Sequence, residues 1–200
     1  PMTLPSHVSI LTGLLPTEHG VRNNLGYDYD AGKYESVSTT LKNAGYATGG
    51  AVSAYVLRGS TGLGRVFDFY DDAVATRRDV SVGELSRSGT ATVDIATRWV
   101  RERTGSPFFL FLHVFEPHAP YDPPEPFRSE ATLPYDGEIA AADAAVGRFL
   151  NALKESGLYD KAAIILLSDH GEGLGDHGEA EHGVFLYREA IQVPLLVKLP

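Results

Sequence analysis

Apolar runs bounded by turn residues recur along the chain and alternate with segments of helical spacing. Residues 46–54 (YATGGAVSA), 107–114 (PFFLFLHV), 162–168 (AAIILLS) and 193–199 (VPLLVKL) are short and continuously apolar, which predicts strands buried on both faces. Between them the spacing predicts helices over 36–44, 84–103 and 138–154. The last carries Ile139, Ala142, Val146, Phe149, Leu150 and Leu153 on one stripe, with Gly157 as its stop. A further short helix is expected over 3–13, with Thr3 or Leu4 at its cap, Pro5 in the first turn and Gly13 at its end. Strands alternating with helices imply an α/β fold with a mainly parallel sheet covered on both sides, and such folds bind ligands at the carboxyl ends of their strands.

No internal repeat and no Pro-, Gly- or Ser-rich linker divides the chain, so residues 1–200 are expected to form one unit. Its 200 residues, 43% hydrophobic and 22% charged, suffice for a sizeable core. A net charge of −9 argues against a broad nucleic-acid-binding face, because such binding depends on neutralising phosphates with cations; an anionic ligand needs a local positive site. With no cysteine there is no disulfide, no thiolate metal site and no thiol nucleophile. The abrupt opening at Pro1 and the strand-like run that ends at Pro200 read as an internal piece of a longer protein, with any signal peptide or membrane anchor lying outside it.

The histidines fall in short windows, several of them at predicted strand ends. In Ser168-Asp169-His170-Gly171-Glu172-Gly173, a carboxylate and an imidazole leave a buried strand together. They offer adjacent ligands for a divalent cation, with glycines that let the backbone approach it; the alternative is an Asp/Gly-rich turn with incidental histidines. At the start, Thr3 is either a helix cap or a metal-activated nucleophile facing the positive helix end. His118, between Pro117 and Pro120, is held to hydrogen-bond an anion or simply sits in a rigid loop. His182 is placed to protonate a leaving group or to bind the anion. Structural roles are expected for His19 at a helix end, His113 at the buried end of the sheet, Phe108, Phe109 and Phe111 in the core, and Arg77 and Arg78 on the surface. Glu172, Asp176, Glu179 and Glu181 form a negative stretch that repels an anionic substrate unless a cation or the nearby histidines offset it.

Taken in order, TLPSHVSILTG, PTEHGVRNN, FFLFLHVFEPHAPYDPP, LLSDHGEGLGDHGE and HGVFLYREAIQVPLLVKLP resemble the sulfatase family of the alkaline phosphatase superfamily over nearly the whole chain. The resemblance implies an alkaline-phosphatase-like α/β/α sandwich with a mainly parallel sheet, truncated at both ends, so that 1–200 is a partial catalytic domain. It also implies hydrolysis of sulfate or phosphate esters through a covalent intermediate on a metal-bound nucleophile. Thr3 falls where sulfatases have the Cys or Ser that becomes formylglycine, and His7 replaces the Arg of the same motif. A threonine there is similar to nucleotide pyrophosphatases and to phosphoethanolamine and glycerol-phosphate transferases, which shifts the expectation toward phosphate esters.

By the same resemblance, Asp169 and His170 match metal ligands, joined by Thr3. His118 and His182 match catalytic, substrate-facing positions. Asn24 matches a contact to a substrate oxyanion, with His7 and His177 as further substrate-binding candidates. Val114 stands where a second zinc site would need an acidic ligand, so one divalent ion is expected: Ca, Zn or Mn. A further acidic ligand is expected upstream of Pro1, which leaves this chain weakly active or inactive alone. The expected partner is an anionic sulfate or phosphate ester, with no nucleic acid, and the expected location is periplasmic or otherwise extracytoplasmic. Two rivals stand beside this reading: a phosphoryl transferase acting on a glycan or lipid, and a non-catalytic member that binds metal or glycan.

Overall fold

A computed structural model describes residues 1–103 and 105–200. In chain order its elements are α1 (Thr3–Thr12), α2 (Pro16–His19), α3 (Val37–Asn43), β1 (Ala47–Val52), β2 (Phe69–Asp71), α4 (Gly89–Arg101), β3 (Phe108–His113), α5 (Phe127–Glu130), α6 (Pro134–Glu155), β4 (Ile164–Leu167), α7 (Arg188–Ile191) and β5 (Leu195–Lys198), with short 3₁₀ turns between some of them. Strands β2, β1 and β3 form a parallel sheet in that order, and β4 pairs with β5.

The two faces of the parallel sheet carry separate cores, as alternation along β3 requires. Phe109 and Phe111 pack with Leu4, Val8 and Leu11 of α1 and with Val52, Val56 and Leu57. Phe108 and Leu110 pack with Trp99 of α4 and with Phe149, Leu150 and Leu153 of α6. Helices thus cover both faces. Strand β1 can lie between them only because it is small: a Cβ on Gly49 would stand 2.6 Å from the Trp99 ring, and one on Gly50 would stand 2.5 Å from Tyr70.

Local chemistry sets the helix ends. Ser36 and Ser88 cap α3 and α4 by accepting from the N–H groups of Thr39 and Ala91. Gly13 closes α1 at φ 72°, a left-handed conformation that glycine adopts without a steric penalty.

Several expectations are corrected. Met2, not Thr3 or Leu4, is the N-cap of α1, so Thr3 is the first helical residue. Helix α4 starts at Gly89 rather than 84, because the preceding residues are held by Tyr55 N–H to Leu85 and Arg87 N–H to Ser53. Helix α6 starts earlier than expected, with Pro134 in its first turn, and Ile139 on its anticipated apolar stripe is exposed. Glu138 is buried beside it and accepts from Asp122 N–H. Strand β2 is too short to leave a signal in the pattern. Finally, β4 and β5 are antiparallel to each other and not buried on both faces: Ile165 and Leu195 are 63% and 65% exposed. Ile164 alone of β4 reaches the α4–α6 core, which explains why the pair has an inner end and an open surface.

Candidate active site

The carboxyl ends of β3 and β4 bring His113 and Asp169 together with His7 of α1. His7 is buried, its Nδ1–H donates to the Thr3 carbonyl at 2.8 Å, and its ring lies edge-on to His113 with centroids 5.0 Å apart. Asp169 Oδ2 is buried without a hydrogen-bond partner, 3.5 Å from His7 Nδ1 and 3.4 Å from His170 Nε2.

The tautomer of His170 makes this contact informative. Its Nδ1 lies 2.8 Å from the Gly171 carbonyl, which can only accept, so Nδ1 carries the proton and Nε2 presents a lone pair. Two electron-pair donors, Asp169 Oδ2 and His170 Nε2, therefore face each other at 3.4 Å. That arrangement is unfavourable in itself and favourable around a shared cation, so this oxygen–nitrogen pair fits a divalent metal. Among the described residues, no group of three or more His, Asp or Glu side chains converges to hold such an ion alone. Burial would raise the Asp169 carboxyl, but His7, His170 and His113 around it hold it below the usual carboxylate range. Burial depresses His170, and it depresses His113 to about 3 with His7 beside it, so both rings are neutral near pH 7.

Two more imidazoles complete the cluster. His118 donates Nδ1–H to the Ala119 carbonyl at 2.6 Å and stacks on Phe115. His182 donates Nδ1–H to Glu172 Oε1 at 3.1 Å. The His182 ring stacks on His170 at 3.9 Å and meets His118 edge-on at 5.3 Å. His118, His170 and His182 are thus all anchored through Nδ1, which leaves each Nε2 for a ligand.

The other anticipated residues divide. Thr3 is buried at the start of α1, where the N-terminal peptide dipoles favour negative charge. Asn24 is beside it: Oδ1 accepts from Leu4 N–H at 2.8 Å, which leaves the amide nitrogen as a donor at the same helix end. His177 lies apart and exposed, bonded to Glu189 at 2.6 Å and stacked on Tyr187. His19 is buried in the structural role expected of it at the end of α2.

The glycines after His170 are required by close packing of the loop. A Cβ on Gly171 would stand 1.9 Å from the Glu189 carbonyl oxygen, and one on Gly173 would stand 2.5 Å from those of Glu179 and Glu181. They let the loop pack on its own following backbone. The negative stretch is also partly tied down: Glu172 is buried, and Glu179 accepts from the N–H groups of Val184 and Phe185. Glu172, Tyr121 and His113 were not singled out as site residues by sequence reasoning. Glu172 was read only as part of the negative stretch and His113 only as structural at the buried end of the sheet, where it is found.

Strands β3 and β4 ending in a cluster of imidazoles and a carboxylate, with the start of α1 alongside, define an α/β protein with its polar cluster at the carboxyl ends of its strands. A model of the family described as Sulfatase matches residues 1–200, and the chain belongs to that family, within the alkaline phosphatase superfamily. It is 33% identical over 144 residues to steryl-sulfatase of Mus musculus, covering 65% of this chain and 22% of that protein. It is 26% identical over 182 residues to PehA, a multifunctional alkaline phosphatase superfamily protein of Trinickia caryophylli, covering 62% of this chain and 35% of that one. The crystal structure of phosphonate monoester hydrolase of Agrobacterium radiobacter superposes with a TM-score of 0.76 at 20% identity, covering 98% of this chain and 58% of that one, so the fold is alkaline-phosphatase-like. The chain therefore spans between about a fifth and three fifths of the proteins it matches.

Proposed function

We propose that the protein is a metal-dependent hydrolase of sulfate or phosphate esters, with phosphate esters favoured, acting through a covalent ester on Thr3. One observation carries this reading: Asp169 Oδ2, buried and unpartnered, faces the lone pair of His170 Nε2 beside two further histidines whose Nε2 atoms are free. A divalent ion held by Asp169, His170 and Thr3 would supply positive charge for the ester oxygens and favour the ionised hydroxyl. Of Ca, Zn and Mn, the imidazole nitrogen favours Zn, while Ca and Mn prefer oxygen ligands.

Thr3 Oγ attacks phosphorus or sulfur, a bond to Thr3 forms, and the bond to the leaving oxygen breaks. The Asn24 amide and the N-terminal N–H groups of α1 stabilise negative charge on the remaining oxygens. His118 and His182 bind the anion, and His182 gives a proton to the leaving alcohol. Water then displaces Thr3 and releases the anion. His7 supports the nucleophile's helix turn through the Thr3 carbonyl, beside Asp169, at the position where sulfatases carry Arg. His177 would reach the anion only at the rim. Residues 1–200 form a partial catalytic domain in this reading, and the family resemblance supports work outside the cytoplasm.

The test is turnover of an aryl phosphate monoester, an aryl phosphodiester and an aryl sulfate by the full-length protein and by Thr3→Ala, alongside metal content. Phosphoester turnover lost in Thr3→Ala supports the reading. Turnover of sulfate alone overturns the phosphate preference, and turnover unchanged in Thr3→Ala overturns the nucleophile. Product formed on an added alcohol in preference to water would make the protein a transferase, with the same first step. Bound metal without turnover of any ester would make it a binding member of the family.

A further inference from the structure

Glu172 is the one carboxylate of the acidic stretch that turns inward, and it ties three segments together. It is 8% exposed; Oε1 accepts from His182 Nδ1–H at 3.1 Å and Oε2 from the Tyr121 hydroxyl at 2.9 Å. Tyr121 comes from the loop that carries His118, and His182 from the loop after the glycines. The backbone beneath Glu172 is fixed as well: its N–H donates to the Glu189 carbonyl at 3.1 Å, and Gly173 N–H donates to the Glu181 carbonyl at 2.7 Å. Neither flanking glycine has room for a Cβ, so the loop holds one path that aims Glu172 at His182.

A carboxylate paired with Nδ1–H does two things for an imidazole. It restricts rotation of the ring, and it assigns the proton, because a carboxylate oxygen accepts and cannot donate. The Tyr121 hydroxyl then fixes the carboxylate itself through the oxygen that His182 does not use. Burial raises the Tyr121 phenol, and its bond to Glu172 raises it further, so it remains a donor.

We propose that Glu172 is a positioning residue that, with Tyr121 behind it, holds His182 with Nδ1 protonated and Nε2 turned to the leaving-group oxygen of the ester. This rests on the functional reading above. In the first half-reaction Nε2 takes up the proton that the Thr3 hydroxyl loses on attack and passes it to the departing alkoxide as the bond to phosphorus or sulfur breaks. In the second, Nε2 takes a proton from the incoming water as its oxygen bonds to phosphorus or sulfur, and returns it to the Thr3 oxygen as that group leaves. Nδ1–H stays on Glu172 throughout.

The experiment has two independent readouts on the full-length protein. Long-range ¹H–¹⁵N correlation spectra of labelled histidine side chains should show His182 protonated at Nδ1 in the wild type. In Glu172→Gln, whose amide can donate to Nδ1, the proton should shift toward Nε2. Kinetically, Glu172→Gln should lower kcat/KM, which reads the first half-reaction, by about a hundredfold for an alkyl ester, the size of a lost general acid, while kcat/KM for the 4-nitrophenyl ester changes little, since a good leaving group needs no proton. Tyr121→Phe, which keeps the ring and removes only the hydroxyl, should give the same leaving-group pattern with a smaller loss.

A bare Nδ1 on His182 in the wild type overturns the proposal, as does an equal loss of kcat/KM for alkyl and aryl esters, or no loss in either variant. If Thr3→Ala keeps full turnover while the leaving-group pattern holds, the nucleophile assignment falls and Glu172 stands. Absence of turnover on every ester overturns both.

Discussion

Asp169 concentrates the electrostatic problem of the site. Its Oδ2 is enclosed by imidazoles and bonded to none of them, and an unpaired buried carboxylate oxygen is costly unless a cation or a proton meets it. The expected consequence is that divalent metal stabilises the fold through this residue. At a free concentration about a hundred times Kd, a single bound ion should add about 2.7 kcal/mol, and chelation should remove it. Thermal unfolding with and without chelator should show that difference in the wild type and none in Asp169→Asn. An equal response in both proteins would place the ion elsewhere. The Asp169–His170 pair was legible in the sequence because two ligand types leave one strand together. Glu172 was not, because its role depends on Tyr121 and His182 arriving from two other segments.

At the scale of the element, packing and periodicity explain most of what was read correctly. The two glycines of β1 are required by the rings on either side, whereas Gly147 lies within α6 with nothing inside 4 Å of an added Cβ. Gly49→Ala should therefore destabilise by about 1–3 kcal/mol through the collision with Trp99. Gly147→Ala should stabilise by about 0.5–1 kcal/mol through helix propensity and a less flexible unfolded chain. Chemical denaturation of the two variants checks both signs. At the end of α2, His19 accepts Val21 N–H on Nδ1 and donates Nε2–H to Ser9, so it is bound as the neutral ring, and burial lowers its pKa from 6.5. In the unfolded chain it takes up a proton first as pH falls. Its contribution to stability is therefore complete above 6.5 and lost as pH drops below that toward the folded value. His19→Gln should show a shallower fall in stability across that window. A slope identical to the wild type would mean that His19 is not the titrating group. The Gly13 stop was readable for the same reason as His19: each acts within a few residues of its own position. The start of α4 was misread because it is set by pairing to residues 53 and 55, far away in sequence.

Across the whole molecule, burial is uneven. Strand β1 is buried along nearly its full length between two helical layers, while β4 and β5 are largely exposed. Opening free energy follows burial and contact density. Amide hydrogen exchange on the 200-residue chain should then be slowest in β1 and clearly faster in β4 and β5. Uniform protection across all five strands would contradict this picture.

Membership of the sulfatase family, the alternation of strands and helices, and the order of the histidine windows were all determined by the sequence itself. These are properties of short stretches, where side-chain spacing and turn chemistry act between neighbours in the chain. Only the tertiary structure decided that β4 pairs antiparallel with an exposed β5, that His7 meets Asp169, that His177 stands apart, and that Glu172 faces inward to His182 and Tyr121. Each of these depends on contacts between distant segments. A carboxylate's role follows from whether it faces water or a buried donor, and a linear sequence carries no record of which it will meet.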